Sequence, residues 1–156
     1  MDLTKVFDVN LIDLELKAKT KIEAITNLVQ LMYANDKIKS KEKFAKMVLK
    51  REEIVSTGIG MGIAIPHAKS AMVKKACIAV GRSVEGVEFN SLDQQPAHLI
   101  FLIALPESEA EEEDYTILTI ISRKLAHMKV RDKLLNITKK DDIIEIFKDL
   151  EIDEEE

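Results

Sequence analysis

The sequence lacks the features that mark disulfide-bonded, zinc-binding and membrane-spanning proteins. Cys77 is its only cysteine, which excludes an internal disulfide and a zinc cluster built from cysteines. Its longest apolar run, residues 99–105, is far too short to cross a bilayer, and the N-terminus carries no apolar signal-peptide segment. We therefore expect a cytoplasmic protein without direct membrane insertion.

An excess of basic charge is also missing. The 28 acidic residues outnumber the 23 basic ones, so the formal net charge is −5 and no broad basic surface for nucleic acid is expected. The 156 residues contain no internal repeat and no linker rich in proline or serine. We expect a single domain over residues 1–150, followed by an acidic tail at residues 151–156, with proteins or small anions as partners.

The common nucleotide-binding and metal-binding motifs are missing as well. The three glycines within residues 58–62 do not have the G-x-G-x-x-G spacing, and the pair Lys69-Ser70 follows alanine where a P-loop needs glycine. His98 and His127 have no partners at the spacing of metal ligands. Neither a metal nor a cofactor is therefore expected.

Residues 56–67 form the one segment whose residue pattern indicates a reactive site. Glycine recurs at alternate positions, and Pro66 then precedes His67 at the end of a short apolar run. Alternating glycines let several N–H groups point into one concavity, which favours an anion. The candidate phosphate-binding residues are Ser56, Thr57, Gly58 and Gly60. Because Pro66 stiffens the approach to His67, the pattern predicts phosphate on this histidine; the alternative is an ordinary glycine loop beside a structural histidine.

Hydrophobic periodicity predicts an α/β sandwich with a mixed parallel and antiparallel sheet flanked by helices. Strands are predicted at residues 11–16, 63–65, 77–82, 87–89 and 98–105, and the last is apolar on both faces and therefore central. Capping boxes predict helix starts at Thr20 and Ser108, another helix begins near Ser40, and two short helices follow at residues 129–136 and 141–150. The inward positions of these helices are Ile22, Ile25, Leu28, Val29, Met32, Phe44, Met47, Val48, Leu118, Ile121, Leu125, Ile143, Ile146, Phe147 and Leu150.

Three polar residues fall near these predicted inward surfaces. Arg51 continues the apolar face of the second helix, where it either contacts the site or covers apolar surface with its stem. Asp114 lies one turn before Leu118, where it either faces the site or belongs to an acidic helix start. His98 opens the last strand and either finds its partners in the core or forms a wall of the site.

The segment from Arg51 to His67 closely resembles the phosphorylation-site region of the fructose/mannitol-type enzyme IIA domains of the bacterial sugar phosphotransferase system. The likeness continues through residues 86–106 and 115–125 and, more weakly, 129–150. It implies a single α/β domain in which His67 receives a phosphoryl group on its tele nitrogen, Nε2, from the phosphocarrier HPr or an HPr-like homologue. It further implies that His67 passes this group to a cysteine of enzyme IIB, and that Arg51 clamps the phosphate without a metal.

The sequence departs from that family at two positions, and two other functions are also possible. Asp114 stands in the register of a second histidine that many members carry, and Ala68 stands where glycine is common. The chain resembles both the sugar-transport branch and the nitrogen-type regulatory enzyme IIA, whose phosphorylation state controls binding to other proteins. A binding module that is never phosphorylated is a third possibility. The sequence does not name the sugar.

Overall fold

The computed structural model describes residues 3–107 and 111–148, and in the second range it describes side chains from residue 116 onward. A short 3-10 helix at Leu3–Lys5 precedes the first strand. The strands are β1 (Phe7–Asp13), β2 (Gly58–Gly60), β3 (Ile63–Ala64), β4 (His67–Ser70), β5 (Cys77–Val87) and β6 (Ala97–Pro106). The helices are α1 (Lys21–Ala34), α2 (Lys41–Ile54), α3 (Glu111–Ala126), α4 (Met128–Asn136) and α5 (Asp141–Lys148).

The strands form one mixed sheet with β6 at its centre, as predicted. β6 pairs antiparallel with β5 and parallel with β3 and β4, which follow one another along its other side. β1 lies parallel to β5, and β2 lies antiparallel to β3. Every residue of β6 except His98 is buried, because helices cover both faces of the sheet.

Two hydrophobic layers, one on each face, hold these helices on the sheet. The first layer joins α1 and α2 to residues such as Ala64, Ala79 and Leu102. The second joins α3, α4 and α5 to alternate strand residues such as Ile65 and Phe101. Because neighbouring strand residues point to opposite faces, β1, β3, β5 and β6 each contribute to both layers. The predicted α/β sandwich is confirmed.

The local signals for helices were reliable, whereas several strand limits were wrong. Thr20 and Ser40 cap α1 and α2 by accepting the N–H groups of the third residue that follows each. The first strand begins at Phe7 rather than residue 11, and the separate strand predicted at residues 87–89 shares only Val87, the last residue of β5, with a strand of the structure. The short strands β2 and β4 were not predicted, since glycines and polar residues interrupt their pattern. Ser108, Leu150 and the acidic tail at residues 151–156 lie outside the described residues.

Two helix positions differ from the predicted inward faces. Ile22 is 60% exposed in the first turn of α1, and Met47 is 41% exposed on α2. Leu118 and Ile146 are half-buried and pack against the second hydrophobic layer, as predicted. On α2 the buried positions are spaced by four residues and lead from Phe44 and Val48 to a glutamate, Glu52.

Cys77 is a buried residue of β5, as predicted, and burial raises the pKa of its thiol to about 12. It therefore behaves as a small apolar side chain rather than a nucleophile. Within the two described ranges, no helix combines the length and the apolar character that crossing a bilayer requires.

Candidate active site

His67 lies where the chain passes from β3 to β4 along the central strand. Ala64 aligns with Ile100 of β6, and His67 aligns with Ile103, whose N–H donates to the Pro66 carbonyl at 2.9 Å. Ile65 belongs to the hydrophobic layer on the α3 face, and strand alternation places His67 on that same face. The imidazole is half-buried on a rigid element, so its position is closely defined.

The imidazole is held in one tautomer. Nδ1 of His67 lies 2.9 Å from the carbonyl oxygen of Ile65. Because a carbonyl oxygen only accepts hydrogen bonds, Nδ1 carries the proton and Nε2 carries the lone pair. No described side chain is hydrogen-bonded to Nε2. The nitrogen that the resemblance assigns as the phosphoryl acceptor is therefore the nucleophilic one.

The charge state of His67 also suits a nucleophile. Burial lowers the pKa of the His67 imidazole below its usual 6.5, and the positive charge of Arg51 lowers this pKa as well. The hydrogen bond to Ile65 and the negative charge of Glu52 oppose this shift without reversing it. The lowered pKa favours the neutral imidazole at pH 7 more than in an unburied histidine, and the neutral form is the one with a lone pair to attack.

Arg51 lies in the last turn of α2, close enough to His67 for its charge to act on the imidazole. Its Nη1 donates a hydrogen bond of 3.0 Å to the carbonyl of Val55, and the side chain is half-buried. The guanidinium has five N–H donors in a planar fork, so this single bond leaves others to contact a phosphoryl group. The structure therefore brings together the two residues that the resemblance pairs.

The glycine-rich segment makes a tight turn, and several of its N–H groups already have partners within the protein. Gly60, Met61 and Gly62 all have positive φ, which explains two of the three glycines, and a Cβ on Gly58 would lie 2.9 Å from Cα of Ser91. The N–H of Gly58 donates to Ser56, that of Thr57 to Glu52 and that of Met61 to Asp93. These three donors are not directed at a shared anion site. Phosphate binding by Ser56, Thr57, Gly58 and Gly60 stays a prediction.

His98 lies against the glycine-rich segment, because its N–H donates to the Gly62 carbonyl at 2.8 Å, but it lies away from the His67 imidazole. His98 precedes Leu99, and the residue of β6 that aligns with His67 is Ile103, so the two histidines are separated by five residues of strand, or about 17 Å. Nδ1 of His98 donates to the carbonyl of Ser83 at 2.8 Å, which satisfies this half-buried side chain locally. His98 as a wall of the site stays a prediction. Asp114 lies in the first turn of α3, and its side chain falls outside the described residues.

Sequence reasoning missed Glu52, which is buried beside the site. Its carboxylate accepts the backbone N–H of Thr57 at 3.1 and 3.2 Å and also accepts the Thr57 hydroxyl. Nζ of Lys21 completes an ion pair with it at 3.0 Å. The signal was the four-residue spacing from Phe44 through Val48, which makes Glu52 the next inward position of α2.

A neutral imidazole with an available Nε2 beside a guanidinium suits nucleophilic acceptance of an anionic group. The imidazole supplies the lone pair, and Arg51 supplies a fixed positive charge. Within the described residues there is no cluster of three or more histidine, cysteine or acidic side chains that could hold a metal ion.

Comparisons with known proteins agree with this chemistry. Residues 5–150 match the family described as "Phosphoenolpyruvate-dependent sugar phosphotransferase system, EIIA 2". The chain is 39% identical over 147 residues to the fructose-specific EIIABC component of Bacillus subtilis (strain 168), a match that covers 94% of this chain and 23% of that protein. It is 36% identical over 146 residues to the fructose-specific EIIA component of Haloferax volcanii, with 94% of each chain covered.

Solved structures give the same result for the fold. The crystal structure of the nitrogen regulatory protein IIA-Ntr from Neisseria meningitidis superposes with a TM-score of 0.87 at 27% identity, covering 93% of this chain and 98% of that one. The resemblance read from residues 51–67 is thus confirmed over nearly the whole chain. The chain belongs to the EIIA type 2 family of the phosphoenolpyruvate-dependent sugar phosphotransferase system and is a phosphoryl carrier of its fructose/mannitol branch.

Proposed function

We propose that His67 receives a phosphoryl group on Nε2 from HPr or an HPr-like phosphocarrier in the cytoplasm and passes it to a cysteine of a fructose-type enzyme IIB. The observation that carries this proposal is the hydrogen bond between Nδ1 of His67 and the Ile65 carbonyl, which leaves the lone pair on Nε2. The name of the Bacillus relative, an EIIABC component, supports an enzyme IIB partner, because it joins the A and B components in one protein.

Each half of the transfer forms one bond and breaks one. The Nε2 lone pair attacks the phosphorus of the donor, a P–N bond forms, and the donor leaves with its bonding electron pair. In the second half a cysteine thiolate attacks the same phosphorus, and the P–N electron pair returns to Nε2. Nδ1 keeps its proton throughout and donates it in a hydrogen bond to the Ile65 carbonyl, while Arg51 offsets the negative charge of the phosphoryl oxygens.

Exposed apolar side chains beside Arg51 support a protein as the donor and the acceptor. Ile54 is 80% exposed and Val55 is 49% exposed at the end of α2, and the Val55 carbonyl is the group that binds Arg51. Exposed apolar side chains grouped next to a site favour protein contact over contact with a free sugar.

Onward transfer to enzyme IIB separates the transport role from the regulatory one. We expect the phosphorylated protein to lose its phosphoryl group when it is mixed with the EIIB region of the Bacillus subtilis relative, because a cysteine thiolate is a nucleophile that can attack the phosphorus of phosphohistidine. Intact mass of both proteins over time is the measurement. The relative's own EIIA region serves as the positive control, and an EIIB cysteine-to-serine variant serves as the negative control.

A regulatory role is the second candidate, since the Neisseria IIA-Ntr structure superposes so well. If the relative's own EIIA region transfers to EIIB while this protein keeps its phosphoryl group, the transport proposal fails and the regulatory one replaces it.

We also propose that Asp114 shortens the life of the phosphorylated state. It lies one turn before the buried Ile117, on a helix that packs against the same face of the sheet as His67. At ~6 Å and an effective dielectric of ~20 to 80, two unit charges repel by roughly 0.7 to 3 kcal/mol. Asp114→Asn is therefore expected to lengthen the half-life of phospho-His67, while Glu107→Gln at an exposed position leaves it unchanged. Equal half-lives in all three proteins would remove Asp114 from the site.

A further inference from the structure

Glu52 is a buried acidic residue that the transfer steps above do not use. Its side chain is only 3% exposed, and its described partners are all hydrogen-bond donors: the Thr57 N–H, the Thr57 hydroxyl and Nζ of Lys21. A buried carboxylate is costly unless it is paired and fully hydrogen-bonded, as this one is. The position of such a group beside an acceptor of anionic phosphate therefore needs a reason.

The partners of Glu52 tie three parts of the fold together. Lys21 lies in the first turn of α1, and its Nζ also lies 5.3 Å from the centre of the Phe89 ring. Glu52 is in the last turn of α2, and Thr57 directly precedes β2. The carboxylate thus joins the start of one helix, the end of the next and the connection to the sheet.

A continuous path of hydrogen bonds leads from Glu52 to the imidazole. The carboxylate holds the N–H and hydroxyl of Thr57, and the carbonyl of Thr57 accepts the N–H of Ile65 at 3.0 Å. The carbonyl of Ile65 in turn accepts Nδ1–H of His67. Main-chain groups connect Thr57 to Ile65, so a displacement of Thr57 would displace the Ile65 carbonyl, which orients His67.

A second connection runs from Glu52 to Arg51. The two residues are neighbours at the end of α2, and Nη1 of Arg51 donates to Val55, which lies inside the segment that the Glu52–Thr57 bonds close. Loss of those bonds would release the main chain that holds the guanidinium. Both groups that act on the phosphoryl therefore depend on the same carboxylate.

We infer that Glu52 is a positioning residue for phosphoryl transfer: with Lys21 and Thr57 it fixes Arg51 and His67 relative to each other. The inference rests on the proposed function of His67. Misplacement of reacting groups by about 1 Å can cost about a hundredfold in rate, so the contribution of such a residue is measurable.

The test compares Glu52→Gln with Glu53→Gln, the exposed neighbour on the same helix. A glutamine amide cannot accept as many bonds as the carboxylate, and it presents its own donors to Thr57 and Lys21. In single-turnover transfer from phospho-HPr we expect Glu52→Gln to be about ten- to a hundredfold slower than the wild type and Glu53→Gln to match it. Thr57→Val is expected to be slower than Thr57→Ser, which keeps the hydroxyl that donates to Glu52.

Nuclear magnetic resonance of His67 without any phosphoryl donor gives a second readout. Since the negative charge of Glu52 raises the pKa of His67, its removal in Glu52→Gln is expected to lower this pKa further, with no change in Glu53→Gln. If the charge of Glu52 does not reach the imidazole, this pKa stays unchanged in a folded Glu52→Gln variant.

The outcomes distinguish this inference from the proposed function. If the wild type takes no phosphate from phospho-HPr, the proposed function fails. If the wild type is phosphorylated and Glu52→Gln matches it in rate, or if Glu53→Gln slows transfer equally, only the role of Glu52 fails. Should Glu52→Gln not fold, equal rates for Thr57→Val and Thr57→Ser would overturn the inference.

Discussion

Replacing His67 by alanine is expected to abolish phosphorylation of this protein. Nε2 of His67 is the nucleophile that the structure leaves available, whereas Cys77 is buried with a thiol pKa of about 12. The measurement is intact mass after incubation with phosphoenolpyruvate, enzyme I and HPr. The wild type should gain one phosphate that is lost in acid and kept in base, as a phosphorylated histidine requires.

Two matched variants make this test specific. Cys77→Ala removes the only cysteine, and His98→Ala removes the other histidine of the sheet. Each variant is expected to be phosphorylated near the wild-type yield. His98 donates to Ser83 about 17 Å along β6 from His67, so its loss leaves the acceptor in place. Labelling of His67→Ala equal to that of the wild type would assign the phosphate elsewhere and overturn the proposed function.

The parts of the site that could be predicted are those with a strong local signal. His67 follows a proline at the end of a distinctive glycine segment, and its position in the chain requires no knowledge of distant contacts. The central position of β6 was equally predictable, because a strand that is apolar on both faces must be covered on both sides. Arg51 was found because it falls near an apolar helix face.

What could not be predicted depends on contacts between distant segments. In the sequence, Glu52 looks like an ordinary surface residue beside Glu53. Its burial four residues after Val48 and its ion pair with Lys21, over thirty positions earlier in the chain, are seen only in the structure. The N–H of Met61, inside the glycine-rich segment, donates to Asp93, which lies in a loop that local patterns cannot bring close. His98 likewise finds Ser83 on the neighbouring strand only once the register of β5 and β6 is known.

Arg51→Met is expected to slow transfer from phospho-HPr by roughly tenfold to a thousandfold while the protein stays folded. The planar guanidinium makes strong, charge-assisted bonds to phosphoryl oxygens, and the loss of a few kcal/mol of transition-state stabilisation corresponds to that range of rates. Arg51→Lys keeps the positive charge but loses the planar fork of donors, so its transfer rate should lie between those of the wild type and Arg51→Met. Single-turnover mass spectrometry of the phosphorylated protein measures all three rates.

Lys50→Met is the control for Arg51→Met, because it removes a positive charge from an exposed position next to Arg51 on α2. The transfer rate of Lys50→Met should match that of the wild type. If net charge alone governed HPr binding, both methionine variants would be slowed alike. The pKa of His67 adds an independent check: Arg51 lowers it, so Arg51→Met should raise it and Lys50→Met should not. If Arg51→Met folds, keeps the wild-type rate and leaves that pKa unchanged, Arg51 only covers apolar surface, and the cation that assists transfer must be sought on the partner protein.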